Sequence, residues 1–429
     1  MAHPVKYFVN TMEGAPQLTN DWGCITALLD AVLVNGFNLK SISGITSAGG
    51  VATASITLGH FYTVGQVLAV AGADQAEYNG EVQVTATTAN TFSYAITGTP
   101  VSPATGASIT SKVAPLGWEI AFTGISKRAY RSPNVLSNRP YLRVDDSLDP
   151  AYTTTYAKKA KVTMAQGMSD IDTFVGARAP YDSASPSKNE VGTGSGVTAM
   201  DGWYKWYYAR LMGQGTESSL PGDGSRSWVL VGDDRGFYFM PAHNTNGSRA
   251  GYCFTDFESF RSVDGFNTLL GATEAYVAAN TNASSYPGAQ YADNDIANHF
   301  QRTHDVQGKV LMRDYLQLGD PVRAGFASLN TNNGQTISGL TTGVPWPNGP
   351  DYSLLLHPVY LKQENTHVRG RVPGLFWVHN DKPLGDLNII TGVAGYPGRT
   401  FMLVDLAYSA GGVRQVGSRV AFDITGPWW

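Results

Sequence analysis

The sequence predicts a mainly β protein with minor α content, in which a small β-barrel or sandwich module is inserted near the N-terminus of a larger β-rich body. Three observations carry this expectation. Two-residue alternation of apolar and polar residues recurs along the chain, Gly and Pro interrupt it at short intervals (48 and 22 of 429 residues), and the clearest helical period is confined to residues 21–34. At roughly one domain per 150 residues, a chain of this length needs two or three cores. We therefore read 1–40 as an N-terminal segment of the main body, 41–112 as the inserted module, and 113–429 as the main body, with room for two subdomains.

In the first segment Trp22, Ile25, Leu28, Leu29 and Val32 recur at three- and four-residue steps and share one helical face. Asn20 or Asp21 is placed to cap this helix and Gly36 to end it. From Ser41 to Lys112 the texture changes, with almost no basic residues and many Ala, Thr, Ser and Gly. Strands are predicted at Val51 to Leu58, Val67 to Ala71, Glu81 to Ala86 and Thr91 to Ile96, with Phe92, Tyr94 and Ile96 on one face. Asn79-Gly80 and Ala89-Asn90 supply turns, and a last strand at Ser108 to Lys112 brings the chain back beside its entry point.

In the body, Gly117 to Thr123 and Tyr141 to Asp145 alternate as strands, with Lys127 to Arg131 read as a basic loop between them. Tyr156 to Met168 reads as a strand or short helix, Thr173 to Arg178 as a buried segment, and Ser183 to Thr198 as a long exposed loop. Met200 to Leu211 fits a helix or a strand. The clearest local signal is the pair of apolar runs Ser227 to Val231 and Phe237 to Met240 around the polar turn 232–236, a β-hairpin to which Tyr252 to Phe257 adds a strand. Residues 280–298 and 331–343 read as polar loops. Further strands are expected at Tyr352 to Leu356, Leu361 to Gln363, Leu375 to Val378, Thr400 to Ala407 and Ser418 to Asp423. Trp428 and Trp429 are expected to be buried, in their own core or a neighbour's, because two exposed tryptophans are costly for a free monomer.

Composition narrows the function classes. Charged residues are 15% of the chain against about 25% in a typical domain, while Tyr, Phe and Trp number 22, 17 and 9. Much of the surface is then uncharged and polar, which suits contact with other proteins. A net charge of −4 creates no broad field for nucleic acid or an anionic membrane, so neither is expected as a partner. The first ten residues lack the pattern of a secretion signal, and no apolar stretch reaches bilayer length. Cys24 and Cys253 read as two free thiols.

The usual phosphate-binding, metalloprotease and nucleophile motifs do not occur in a convincing context, and no cofactor is expected. The eight histidines (3, 60, 243, 299, 304, 357, 367 and 379) are scattered and read as structural. Asp293, Asn294 and Asp295 offer oxygen ligands of the kind calcium takes, but the Gly and distal Glu of a calcium loop are missing, and turn or capping roles fit better. Asp145-Asp146 and Asp233-Asp234 are adjacent carboxylates in or beside strands. Adjacent residues point to opposite faces, so neither pair forms an acid/base couple by itself. The aromatic run Trp203 to Tyr208 has the makings of a sugar-stacking platform, with core packing the stronger reading. The acceptor triplets at Asn246 and Asn282 read as chance matches.

The segments Thr63 to Gln66, Val70 to Gly80, Ala89 to Tyr94 and Gly98 to Gly106 resemble a β-module recurrent in virion proteins of tailed bacteriophages, over about a sixth of the chain. Trp118 to Phe122, Tyr141 to Asp146, Trp228 to Phe239 and Arg369 to Leu375 more loosely resemble phage tail-associated structural proteins. This resemblance implies a structural, non-enzymatic virion subunit of the tail or the tail-tip and baseplate region, assembled in the host cytoplasm. It also implies a symmetric homo-oligomer whose partners are other copies of itself and neighbouring virion proteins. The alternative implied is a receptor-binding tail protein contacting host-surface glycans. A basic, mobile Arg369-Gly370-Arg371 is the expected subunit contact, together with the terminal Trp428 and Trp429.

Overall fold

A computed structural model of the chain describes residues 5–211, 217–242, 249–274, 308–327, 353–364, 367–378, 383–406 and 419–429. The protein is mainly β, with 47% of residues in strands and 5% in helix, spread over several sheets. The two apolar runs of the predicted hairpin are continuous where a half-exposed sheet would alternate. Trp228, Leu230, Phe237, Phe239, Tyr252 and Phe254 enter one core, and Val229, Val231, Tyr238, Met240 and Cys253 enter another on the opposite face. Both faces are covered, so every position is apolar.

This hairpin, Trp228–Gly232 with Gly236–Pro241, lies near one edge of a large antiparallel sheet that starts at Lys6–Val9. The sheet continues through Tyr252–Asp256, Thr268–Gly271, Lys309–Leu311, Val322–Ala327, Leu356–Gln363, His367–Val378, Arg419–Asp423, Thr400–Asp405 and Ile389–Thr391. Strands are present in the C-terminal third as expected, except that residues 353–355, expected as strand, precede the observed strand Leu356–Gln363.

A second antiparallel sheet runs in the order Thr273–Glu274, Tyr204–Ala209, Lys158–Asp170, Tyr141–Asp145, Lys127–Arg131, Glu119–Gly124, with Thr173–Ala179 also paired to Lys158–Asp170. Trp206 joins the two sheets, stacked on Tyr252 at 5.9 Å and tilted against Phe239 at 5.8 Å. Two expectations are corrected here. Lys127–Arg131 is a strand and not a loop, and its charges find distant partners: Lys127 the turn residue Asp172, Arg128 Asp30 of the helical segment, and Arg131 the Tyr141 ring on the neighbouring strand. Thr173–Ala179 is largely exposed in its first half.

The strands between Phe37 and Val113 pair only with one another. Their order is Phe37–Ser41, Thr110–Val113, Val67–Ala71, Gly80–Thr87, Thr91–Ala95, Val51–Ser55, Gly44–Ala48, and among the described residues the ladder does not close into a barrel. The first and last strands of this sheet are consecutive in the chain, so the sheet folds over a shared interior that holds Leu68, Val70, Val84, Phe92 and Tyr94. Tyr62 stands edge-on to Phe92 at 5.5 Å. His60 completes the packing, with Nδ1 accepting from the Tyr62 amide and Nε2 donating to the Thr91 carbonyl, both at 2.9 Å.

The predicted helix is present as Cys24–Leu29, continuing in a widened turn over Asp30–Asn35. It stops at Gly36 (φ 72°), where a Cβ would lie 2.4 Å from the Val113 carbonyl oxygen. Neither Asn20 nor Asp21 caps it. The cap comes from Asp146, 121 residues away, whose Oδ2 accepts from the Ile25 amide at 2.9 Å.

Asp146 is fully buried, and burial pushes its carboxyl up to about 8 against the hydrogen bonds that pull it down. The hydrogen-bond count agrees. The Tyr208 hydroxyl lies 2.7 Å from Asp146 Oδ1 and 2.8 Å from the Asp21 carbonyl, and its one proton serves only one of them. A protonated Asp146 donates to Tyr208, which then donates to Asp21. A carboxyl whose native pKa is raised adds stability that is complete below its unfolded value and is lost as pH rises to about 8. Asp146→Asn keeps the donor and acceptor without the titration. Urea unfolding should show the variant gaining on the parent between pH 5 and pH 8, by up to about 1.4 kcal/mol per unit. A difference that stays flat with pH contradicts this reading.

Candidate interaction face

Asp264 sits in the turn after Glu258–Ser259, a short strand that pairs with the middle of His367–Val378. Its side chain is 2% exposed and accepts hydrogen bonds from three segments, while its backbone carbonyl accepts from a fourth. Arg369 Nε and Nη2 donate at 3.0 and 3.2 Å, Gln317 Nε2 at 2.6 Å, and Ser259 Oγ at 2.7 Å. Asn138 Nδ2 donates to the Asp264 carbonyl at 3.2 Å. Burial alone would raise this carboxyl, but the bonds from Arg369, Gln317 and Ser259 prevail and hold it below the ordinary value.

The loops tied in this way carry exposed apolar side chains. Phe260 and Val263 flank Arg261, Leu316 and Leu318 flank Gln317, Val135 and Leu136 lie near Asn138, and Val368 precedes Arg369, with exposures from 50% at Val368 to 82% at Val135. The segments are tied to one another by these bonds, so their seven exposed apolar side chains are candidates for a contact surface. No single sequence feature reveals it. The seven residues come from four segments, and the carboxylate that gathers them is an unremarkable Asp in a polar turn.

The residues expected at a subunit contact separate. Arg369 is fully buried, held by Asp264 and by Gln363 Oε1 at 2.7 Å, so the expectation of a mobile, exposed guanidinium there is corrected. The cause is alternation in an ordered strand facing an acidic partner from another loop. Arg371 is at the surface, paired with Glu258 at 2.6 Å. Trp428 is half-buried against Tyr238, and its indole donates to the Asp423 carbonyl at 2.8 Å. Trp429 remains 38% exposed, donating to Asp233 Oδ2 at 2.7 Å under the Arg235 guanidinium. Both tryptophans therefore fold back on their own chain.

The second concentration of charge is internal. Lys159, Lys205, Asp201 and Glu217 are at most 1% exposed, and Lys161 and Asp145 little more. Glu217 receives the hydroxyls of Tyr152 and Tyr207 and the ammonium groups of Lys205 and Lys159, the latter two at 2.9 Å. Burial raises Glu217, but the cations of Lys159, Lys205 and Arg210 outweigh it and leave its pKa well below the usual range. Each charge has an opposite partner within the chain, the arrangement of a structural network.

The two carboxylate pairs behave as adjacency predicts. Asp145 faces Arg143 and Asp146 faces the helix, while Asp233 holds its own turn and Trp429, and Asp234 bonds Asn134. Cys24 and Cys253 are free thiols. Among the described residues no group of three or more His, Cys, Asp or Glu is arranged to hold a metal ion. Asp293 and its neighbours, the loops at 280–298 and 331–343, Asn246, Asn282, and His3, His243, His299, His304 and His379 lie outside the described residues. No protein-family model and no curated protein matches the chain.

Replacing Asp264 by Asn leaves Arg369 buried beside a neutral amide. Loss of one partner from such a pair costs about 3–5 kcal/mol, which denaturant unfolding at neutral pH should register. The carboxyl's contribution is complete above the ordinary carboxylate range and is lost as pH falls through its lowered native pKa, so the variant should lack the parent's acid-dependent loss. Equal stability of the two proteins at pH 7 would remove Asp264 from its role.

Proposed function

We propose that the chain is a structural subunit of a tailed-bacteriophage virion, in the tail or the tail-tip and baseplate region, that self-associates into a symmetric homo-oligomer and catalyses no reaction. The observation that supports self-association is the apolar face fixed around Asp264, because a surface held by a buried ion pair is preorganised and loses little freedom on docking. A second exposed apolar set, Leu58, Phe61 and Val64, lies on the inserted module. Two different apolar patches on one subunit suit a heterologous, head-to-tail contact, which closes into a ring when the rotation allows. The likeness of residues 63–106 to a phage virion module supports the particle as the place of assembly.

Mass photometry of the purified chain tests the first part. The parent should form a discrete oligomer, and Leu316→Asp combined with Leu318→Asp should return it to monomer with unchanged circular dichroism and melting temperature. A monomeric parent at micromolar concentration contradicts self-association. Mass spectrometry of purified virions tests the second part, and absence of the chain from them contradicts a virion role even if the oligomer forms.

A further inference from the structure

A groove of about 160 Å³ opens beside Trp428, next to the apolar face but not part of it. Its walls are aromatic and fixed. Tyr396 stands edge-on to Phe376 at 5.2 Å, and both pack against Phe401. Trp428 lies directly on Gly374 (φ 65°), where a Cβ would come within 2.1 Å of the indole, so only glycine gives the ring this seat. The indole N–H is already used by the Asp423 carbonyl, which sets the ring's orientation.

The polar groups of the groove arrive as two ion pairs. Arg371 and Glu258 are 2.6 Å apart and about half exposed, at 47% and 59%. Arg399 and Asp423 are 3.0 Å apart, with Asp423 nearly buried. The four charges sum to zero. A phosphate or polyanion therefore gains no net attraction and meets two carboxylates, and the volume is too small for a base together with its sugar. What the groove does offer is apolar ring faces flanked by guanidinium donors and carboxylate acceptors side by side. That is the complement of a ring whose C–H face is apolar and whose edge carries adjacent hydroxyls. The exposed Arg371–Glu258 pair is weak in water, so little is lost when hydroxyls insert between its members.

We propose that this groove binds a neutral saccharide, one pyranose ring deep, with the ring on the Trp428, Tyr396 and Phe376 wall. Adjacent hydroxyls donate to Glu258 and accept from Arg371. The proposal stands on the groove alone and holds whether or not the chain assembles in a virion.

Saturation-transfer NMR on the full chain, with methyl α-glucoside, methyl β-galactoside and N-acetylglucosamine as probes, tests it. At least one probe should receive saturation at its ring protons. Titration should show its Kd raised about tenfold in Arg371→Met and in Glu258→Gln, because hydrogen bonds to charged groups are the strong ones. Both positions are exposed, so melting temperatures should match the parent's, and mass photometry of the same samples reads assembly separately. Absence of transfer to all three probes, or a Kd unchanged in both variants, overturns the proposal.

Discussion

Asp264 is the one group on which the exposed face depends. Its carboxylate holds Arg369 of a central strand, Gln317 of a loop and Ser259 of the short strand before it, and its carbonyl holds Asn138 from the loop between Lys127–Arg131 and Tyr141–Asp145. Remove the charge and the segments held by the carboxylate lose an anchor, while a guanidinium is left in the interior without a counter-ion. The apolar side chains that the loops carry would then be presented by flexible segments, and ordering them on contact would cost conformational entropy.

The same logic recurs deeper in the second sheet, where lysines 158, 159, 161 and 205 sit in strands and are almost fully buried. Apolar residues would fill these positions at lower electrostatic cost. Three of the charges are matched by carboxylates, Lys161 by Asp201 at 2.9 Å and Lys159 and Lys205 by Glu217, while Lys158 donates to the carbonyls of Thr154 and Tyr156 at 2.7 and 2.6 Å. Such matching is directional, so it fixes one arrangement of strands and loops among the many that hydrophobic packing alone would permit. Asn189, in the polar segment 183–198, is drawn into the interior for the same reason, accepting from the amides of Trp203 and Tyr204 at 2.8 and 2.7 Å.

Local pattern made much of this architecture legible. The alternation in Val67–Ala71 and Thr91–Ala95, and the doubled apolar runs of the hairpin, depend on neighbours within a few residues, and they read correctly. So did Gly36, whose role is set by its own backbone. The partners of charged residues were not legible, since they lie far off in sequence. Asp146 caps a helix 121 positions earlier, and Asp264 meets Arg369 across 105. Lys127 to Arg131 reads as a loop when its charges are counted without their partners in a turn, the helical segment and the next strand, and Arg369 reads as mobile for the same reason. The face and the groove are both products of such distant pairings.

On the proposed self-association, the Asp264 face is buried where copies of the chain meet. Hydrogen–deuterium exchange, followed by mass spectrometry on dissociated and assembled protein, tests it most directly. The amides of residues 260–266 and 314–319, several of them already bonded within the chain, should exchange more slowly in the assembled than in the dissociated protein. Unchanged exchange in both segments, with protection gained elsewhere on the surface, would contradict it.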